Sequence, residues 1–278
     1  MRKTSLVRRA GYHLKQRGMY CGTDITDGQS VYLNMKWLAT HLHVLGPTGQ
    51  GKSRLLLWLF ELLCRTGRPI VLVDFKGGLY RMARDWAISH GYTSRLELFD
   101  LSAHMLPGYN PLRENGLRID LQAQWVREGI KSAWGASTFD ATPQLARTLY
   151  LCLFVARALK LSLVQALDIL RPHPALRAVA LMQIQDPFVQ GALLAFDRLA
   201  DRRKEELAAS TLARLEAFCC DAIVRRVICS PQSLDLESAL IERRIILINF
   251  AKYQPLLPDP LKLFARMIMS DLLAHVYK

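Results

Sequence analysis

The sequence predicts an α/β fold with a parallel sheet and an inserted helical domain, and three observations carry that expectation. Two continuous apolar runs, Pro69-Ile70-Val71-Leu72-Val73-Asp74-Phe75 and Arg244-Ile245-Ile246-Leu247-Ile248-Asn249-Phe250, read as strands buried on both faces. Between them, from about Leu112, one helical pattern follows another. Ahead of both, Gly46-Pro47-Thr48-Gly49-Gln50-Gly51-Lys52-Ser53 fits the phosphate-binding pattern GxxxxGK(S/T) at every fixed position.

The loop pattern answers a chemical need. A triphosphate requires a concave run of backbone N–H donors, an amine at the β and γ phosphates, a hydroxyl for magnesium, and a helix start whose dipole faces the anion. Gly46, Gly49 and Gly51 shape the cradle, with Pro47, Thr48 and Gln50 between them; Lys52 supplies the amine and Ser53 the hydroxyl. The expected context is a strand before and a helix after, and His41 to Leu45 and Ser53 to Leu63 read that way.

The remaining elements follow in order. Residues 1–40 read as a basic arm and a small β element, with Asp27-Gly28 turning the chain into the strand-like Ser30 to Leu33. Gly67 stops the loop helix. Lys76-Gly77-Gly78 turns into a helix from Leu79 to His90, Gly91 caps it, and Leu96 to Asp100 is a third strand. Strands alternating with helices imply right-handed parallel crossovers. Within the helical block, Thr142-Pro143 is an N-cap and N1, Ser162 and Gln165 form a capping box for a helix ending at Arg171-Pro172, and Asp186-Pro187 opens another. The last runs from about Arg202 to Val227. After the 244–250 strand, a Pro-rich turn from Pro255 to Pro260 leads into a C-terminal helix. The expected division is thus 1–40, a first α/β part at 41–112, an all-α domain at 113–236, and a return to α/β at 237–278.

Composition narrows the class. With 278 residues and 51% hydrophobic content the chain has material for a sizeable core. Lys plus Arg exceed Asp plus Glu by 37 to 24, a net charge of +13 that favours phosphate polymers or anionic lipid. The six cysteines show no CxxC pair and no metal-ligand spacing with the seven histidines, so reduced core thiols in a cytoplasmic protein are expected. Cys219-Cys220 as a redox pair is disfavoured, because neighbours on a helix face different ways. No apolar run is long enough to span a bilayer, and the basic start is followed by no hydrophobic segment.

Several separated motifs then agree. The chain resembles the HerA/FtsK superfamily of DNA-pumping P-loop ATPases, with a RecA-like core, and within it the conjugative coupling proteins of type IV secretion (TraG/TraD-like). His41 to Ser53 looks like that family's strand and Walker A loop, Asp74-Phe75-Lys76-Gly77 resembles its DPKG element, and Tyr109-Asn110-Pro111-Leu112 looks like its NPL turn. The helices between the strands are placed like the coupling proteins' all-α domain. The resemblance implies ATP and magnesium as cofactors, Lys52 as the catalytic cation, Ser53 and Asp74 near the metal, and DNA as partner. It further implies a homo-oligomeric, hexameric ring, contact with secretion-system proteins, and membrane attachment only through a segment not in this chain.

Two departures limit what is implied. Phe75 stands where the family has Pro, and no apolar strand here ends in the Asp-Glu pair of a Walker B motif, whose place in the family is beyond the final helix. Asp74 and Asp100 each end an apolar run, but neither is followed by Glu, and Asn249 has an amide that does not titrate. The function expected is the ATP-binding domain of a DNA-translocating motor. The alternative is a nucleotide-binding assembly module of a secretion complex that does not turn ATP over.

Overall fold

In a computed structural model, residues 18–34, 41–103, 105–134, 143–172, 174–230, 232–251 and 258–276 are described. The basic arm before Gly18, Thr142 and the stretch 252–257 lie outside them. The chain divides into two compact units, 1–62 and 63–278.

The first unit holds an antiparallel hairpin, β1 (Gly18–Thr23) and β2 (Ser30–Asn34), with an irregularity between Tyr20 and Gly22. Its turn is fixed by Asp side chains, Asp24 accepting from Thr26 N–H (2.7 Å) and Asp27 from Gln29 N–H (3.0 Å). The unit continues through the glycine loop into α1 (Lys52–Arg65), a 14-residue helix that crosses the unit boundary. One expectation fails here. His41 to Leu45 forms no strand; Leu42 and Leu45 are 43% and 79% exposed. A strand exists only through a partner edge, and no described sheet includes these residues.

The second unit is built on a parallel three-stranded sheet of β3 (Ile70–Asp74), β4 (Leu96–Asp100) and β5 (Ile245–Asn249), ordered β3-β5-β4. The strand that follows the helical block is therefore the central one, and all five of its residues are buried, as an uninterrupted Ile/Leu run requires. Between β3 and β4 lie α2 (Gly78–Ser89), which packs on β3 and β5, and a 3₁₀ turn at Thr93–Arg95.

Between β4 and β5 the chain runs through α3 (Ile119–Trp134), α4 (Pro143–Ala158), α5 (Leu163–Leu170), α6 (Pro174–Gln183), α7 (Pro187–Asp197), α8 (Asp201–Cys219), α9 (Ala222–Ile228) and α10 (Leu236–Ile241). The chain's final described helix, α11 (Pro258–Val276), packs on α3, and α3 on α4. Residues from the sheet, the helical block and α11, among them Phe99, Leu149, Leu153, Phe218 and Phe264, form one continuous apolar core. The capping box is present, Ser162 Oγ accepting from Gln165 N–H, and Asp186 caps α7 through Phe188 and Val189 N–H.

The helix expected from Arg202 to Val227 is two. Asp221 accepts from Ile223 and Val224 N–H and starts α9 afresh, while Arg225 Nη1 donates to the carbonyls of Cys219 (2.7 Å) and Cys220 (2.6 Å) that end α8. The C-terminal helix begins inside the expected Pro255–Pro260 turn, with Pro258 in its first turn. Cys219 is buried and Cys220 exposed, so the adjacent thiols do face different ways.

Candidate nucleotide site

In the first unit, Gly49 and Gly51 stand at φ +87° and +82°, a left-handed path that side chains with a Cβ rarely adopt. Leu55 N–H donates to Gly51 O (3.0 Å), so α1 springs directly from the loop. Lys52 Nζ donates to the carbonyls of Gly46 and Pro47, at 2.6 Å each. The ammonium is thus folded over its own loop at the helix N-terminus, where backbone donors and the helix dipole favour an anion. Ser53 is exposed on the first turn. The loop brings together a cation, a hydroxyl and a helix start. These groups fit a triphosphate.

In the second unit the three parallel strands end in register, Asp74 beside Asn249 and Asn249 beside Asp100. This is the carboxyl edge, where open α/β sheets place their ligands. Asp74 is 7% exposed, and its carboxylate accepts from Lys76 N–H (2.8 Å) and Tyr80 N–H (2.9 Å), tying the Phe75–Gly77 turn to the start of α2. Asn249 donates from Nδ2 to Asp100 (3.0 Å) and accepts from Ala251 N–H (3.0 Å). Burial, with the Asp100 carboxylate hydrogen-bonded to its hydroxyl, pushes Tyr80 up to about 12. Phe75 is 61% exposed and its ring stacks on that of Phe250, with centroids 5.5 Å apart. Where the family has Pro, this chain therefore presents an aromatic ring at the sheet edge.

The Tyr109-Asn110-Pro111-Leu112 stretch is a structural hub. Asn110 Oδ1 accepts from Leu112 N–H (3.0 Å), Gln122 Nε2 donates to Pro111 O (2.9 Å), and Tyr109 O–H reaches Asp271 on α11 (3.4 Å). Asp271, 9% exposed, also accepts from Asn115 (3.0 Å) and lies 3.5 Å from Arg113 and 3.2 Å from His275. Burial, then the nearby Asp271 charge, pushes the Tyr109 hydroxyl well above its usual range. Sequence reasoning missed this cluster, because its two halves, 109–115 and 271–275, lie more than 150 residues apart.

Two basic runs of the helical block, Arg202-Arg203-Lys204 and Arg225-Arg226, are engaged within the protein at every position but Arg226. Arg202 and Arg203 pair with Glu206, Lys204 pairs with Asp201, and Arg225 holds the end of α8. Among the described residues no group of three or more His, Cys, Asp or Glu side chains is placed to hold a metal ion, and no helix is long and apolar enough to cross a membrane.

Residues 19–150 match the family model described as the helicase HerA central domain. A 94-residue stretch is 30% identical to the DNA import protein CedB of Sulfolobus acidocaldarius, covering 33% of this chain and 16% of that one. Two solved structures share the fold: the bacterial conjugative coupling protein TrwBdeltaN70 in an unbound form, and the plasmid coupling protein TrwB in complex with the non-hydrolysable GTP analogue GDPNP. The first superposes with a TM-score of 0.60 at 18% identity over 96% of this chain and 58% of its own. The second gives 0.58 at 16% identity over 96% and 59%. The chain thus spans less than two thirds of the length of each relative. The resemblance to the HerA/FtsK superfamily, with its P-loop α/β fold and helical insertion, is shown by sequence over residues 19–150 and by the coupling-protein fold over 96% of the chain.

Proposed function

We propose that this chain is the ATP-binding domain of a DNA-translocating motor of the conjugative DNA-transfer kind. The observation that carries the reading is the loop Gly46 to Ser53, with the Lys52 ammonium held on the carbonyls of Gly46 and Pro47 at the start of α1. A triphosphate would offer that ammonium charged oxygens in place of neutral carbonyls, a stronger charge-assisted pairing. Lys52 would reach the β and γ phosphates, and the loop's backbone N–H groups, Pro47 having none, would line the rest of the cradle. Ser53 Oγ would be the loop's ligand to magnesium. Asp74, which the family resemblance implies near the metal, has a carboxylate already accepting from two backbone N–H groups, and any role toward magnesium belongs to the same proposal. ATP supplies the free energy of its phosphoanhydride bond. DNA as the cargo, a hexameric ring and secretion-system partners belong to the same proposal. The names DNA import protein and conjugative coupling protein support the cargo, while the ring and the secretion partners are what the family resemblance implies.

A second reading, a nucleotide-holding assembly module, is favoured by one observation. Among the described residues the parallel strands end in Asp74-Phe75, Asp100-Leu101 and Asn249-Phe250, and none of these presents the Asp-Glu pair that supports magnesium and activates water.

Calorimetric titration of ATP into the full chain, with and without magnesium, tests the first reading. Saturable binding that weakens on chelation supports it, and no saturation at millimolar ATP overturns it. DNA-stimulated hydrolysis faster than about one per second assigns the motor and overturns the module.

A further inference from the structure

A basic surface of the second unit lies at the amino edge of the sheet, at the opposite end from Asp74, Asn249 and Asp100. Arg95, just before β4, gathers it. Its guanidinium donates to Arg68 O (2.9 Å), to Cys64 O (3.3 Å), and twice to Arg243 O, from Nη2 at 2.6 Å and Nε at 3.0 Å. These bonds draw three chain segments, 64–68, 95 and 243, to one place. The side chains of Arg65, Arg68 and Arg243 are exposed there, and among the described residues no carboxylate pairs with any of them. The nearby Glu242 is taken by Arg244 at 2.9 Å. Arg243 is one of two described non-glycine residues with positive φ (+56°), a strained conformation that the two Arg95 bonds hold in place.

An aromatic stack adjoins this crown. The end of α2 closes with Tyr92 N–H donating to Ala87 O (2.9 Å) and Gly91 N–H to Ile88 O (3.2 Å), a reversal that folds Tyr92 back beside Trp86. The Trp86 ring lies within 18° of parallel to both the His90 ring (4.2 Å) and the Tyr92 ring (5.7 Å), and Arg95 sits 5.9 Å from the Tyr92 centroid. His90 is exposed; Trp86 and Tyr92 are half-buried.

Unpaired guanidiniums beside solvent-facing parallel rings are the two components of a single-strand platform: cations for the phosphates and π-faces for unstacked bases. We propose that the Arg65/Arg68/Arg243 crown and the His90–Trp86–Tyr92 stack bind single-stranded nucleic acid without sequence preference. An anionic membrane would use the cations and leave the ring stack without a role. A duplex would offer phosphates but keep its bases paired. This surface is independent of the nucleotide loop, so it stands or falls without ATP.

The test is fluorescence anisotropy of a fluorescein-labelled oligothymidylate with the full chain and no nucleotide. Three variants are compared with wild type: Arg65→Ala/Arg68→Ala/Arg243→Ala, His90→Ala, and a charge-matched control, Arg202→Ala/Arg203→Ala/Arg226→Ala. The crown variant is expected to bind at least about tenfold more weakly, with the log–log salt slope smaller by roughly 2, as three lost single-strand phosphate contacts predict. His90→Ala is expected to weaken binding about fivefold or more, the effect of losing one base stack. The control stays near wild type. Equal losses in the crown and control variants would show nonspecific charge attraction and overturn the proposal. So would a crown variant that keeps its oligonucleotide affinity while losing binding to phosphatidylglycerol vesicles.

Discussion

Replacing Gly77 by alanine probes the turn that joins β3 to α2 at the carboxyl edge. Gly77 sits at φ +78°, ψ −10°, and a Cβ built there would lie 2.9 Å from the Cβ of Ala251 and 3.4 Å from Asn249 Oδ1. Neither side of that contact is free to yield. The turn is held by the two hydrogen bonds to Asp74, and Ala251 by its bond to Asn249 Oδ1. The left-handed backbone costs an alanine about 1–2 kcal/mol. Overpacking adds about 1–3 kcal/mol. At roughly 2–4 °C per kcal/mol for a unit of this size, the melting temperature should fall by at least about 4 °C. Thermal unfolding followed by circular dichroism measures it. The double variant Gly77→Ala/Ala251→Gly should recover the overpacking part and keep the backbone part. An unchanged melting temperature in Gly77→Ala, or no recovery in the double variant, would refute the reasoning.

Three further predictions rest on other parts of the fold. Asp271→Ala leaves Asn115 and His275 without their buried carboxylate and Arg113 with Asp235, and should destabilise the protein by about 1–3 kcal/mol in urea unfolding; no measurable loss would contradict the hub. Burial opposes the Asp235 carboxylate, but the Ser238 hydroxyl and N–H and the Arg113 charge outweigh it and hold the group below the usual range. Its stabilisation is therefore present above the unfolded value near 4 and lost as pH falls through the lower folded value, so the gap between wild type and Asp235→Asn should close in that acid window. In thiol labelling of the native protein, Cys220 should react, while Cys152 and Cys219, buried and pushed up to about 12 by burial, should resist until unfolding; early labelling of Cys152 would show that α4 and α5 are not packed as described.

The elements most legible in the sequence were those whose physics is local. Continuous Ile, Leu and Val runs located β3 and β5, and the Ser162/Gln165 and Asp186-Pro187 pairs located helix starts through side chains that reach only two or three residues. The α8–α9 break was missed because an apolar face continues through it, from Leu215 and Phe218 to Val224 and Val227. Asp221, a capping side chain within the run, was the available signal. The central place of β5 was not legible, since strand order depends on partners more than 140 residues away. For the same reason the charged runs at 202–204 and 225–226 were poor guides to free charge. Their neighbours in sequence or at the helix end neutralise or occupy them, whereas the unpaired arginines meet only in the folded chain. The Lys52-Ser53 pair was legible because the pattern is contiguous, while the strand expected before it was not formed, because its ladder partner is a matter of tertiary structure.

The central claim is that Gly46 to Ser53 holds the phosphates of a nucleotide through Lys52. Magnesium-ATP affinity, measured by calorimetry on wild type and on Lys52→Ala, tests it directly. Lys52 donates only to carbonyls of its own exposed loop, so the substitution should leave the melting temperature within about 2 °C, a surface-scale change. Affinity should fall by at least about tenfold, the loss of one charge-assisted contact. Equal affinity in the two proteins would contradict the assignment of the site.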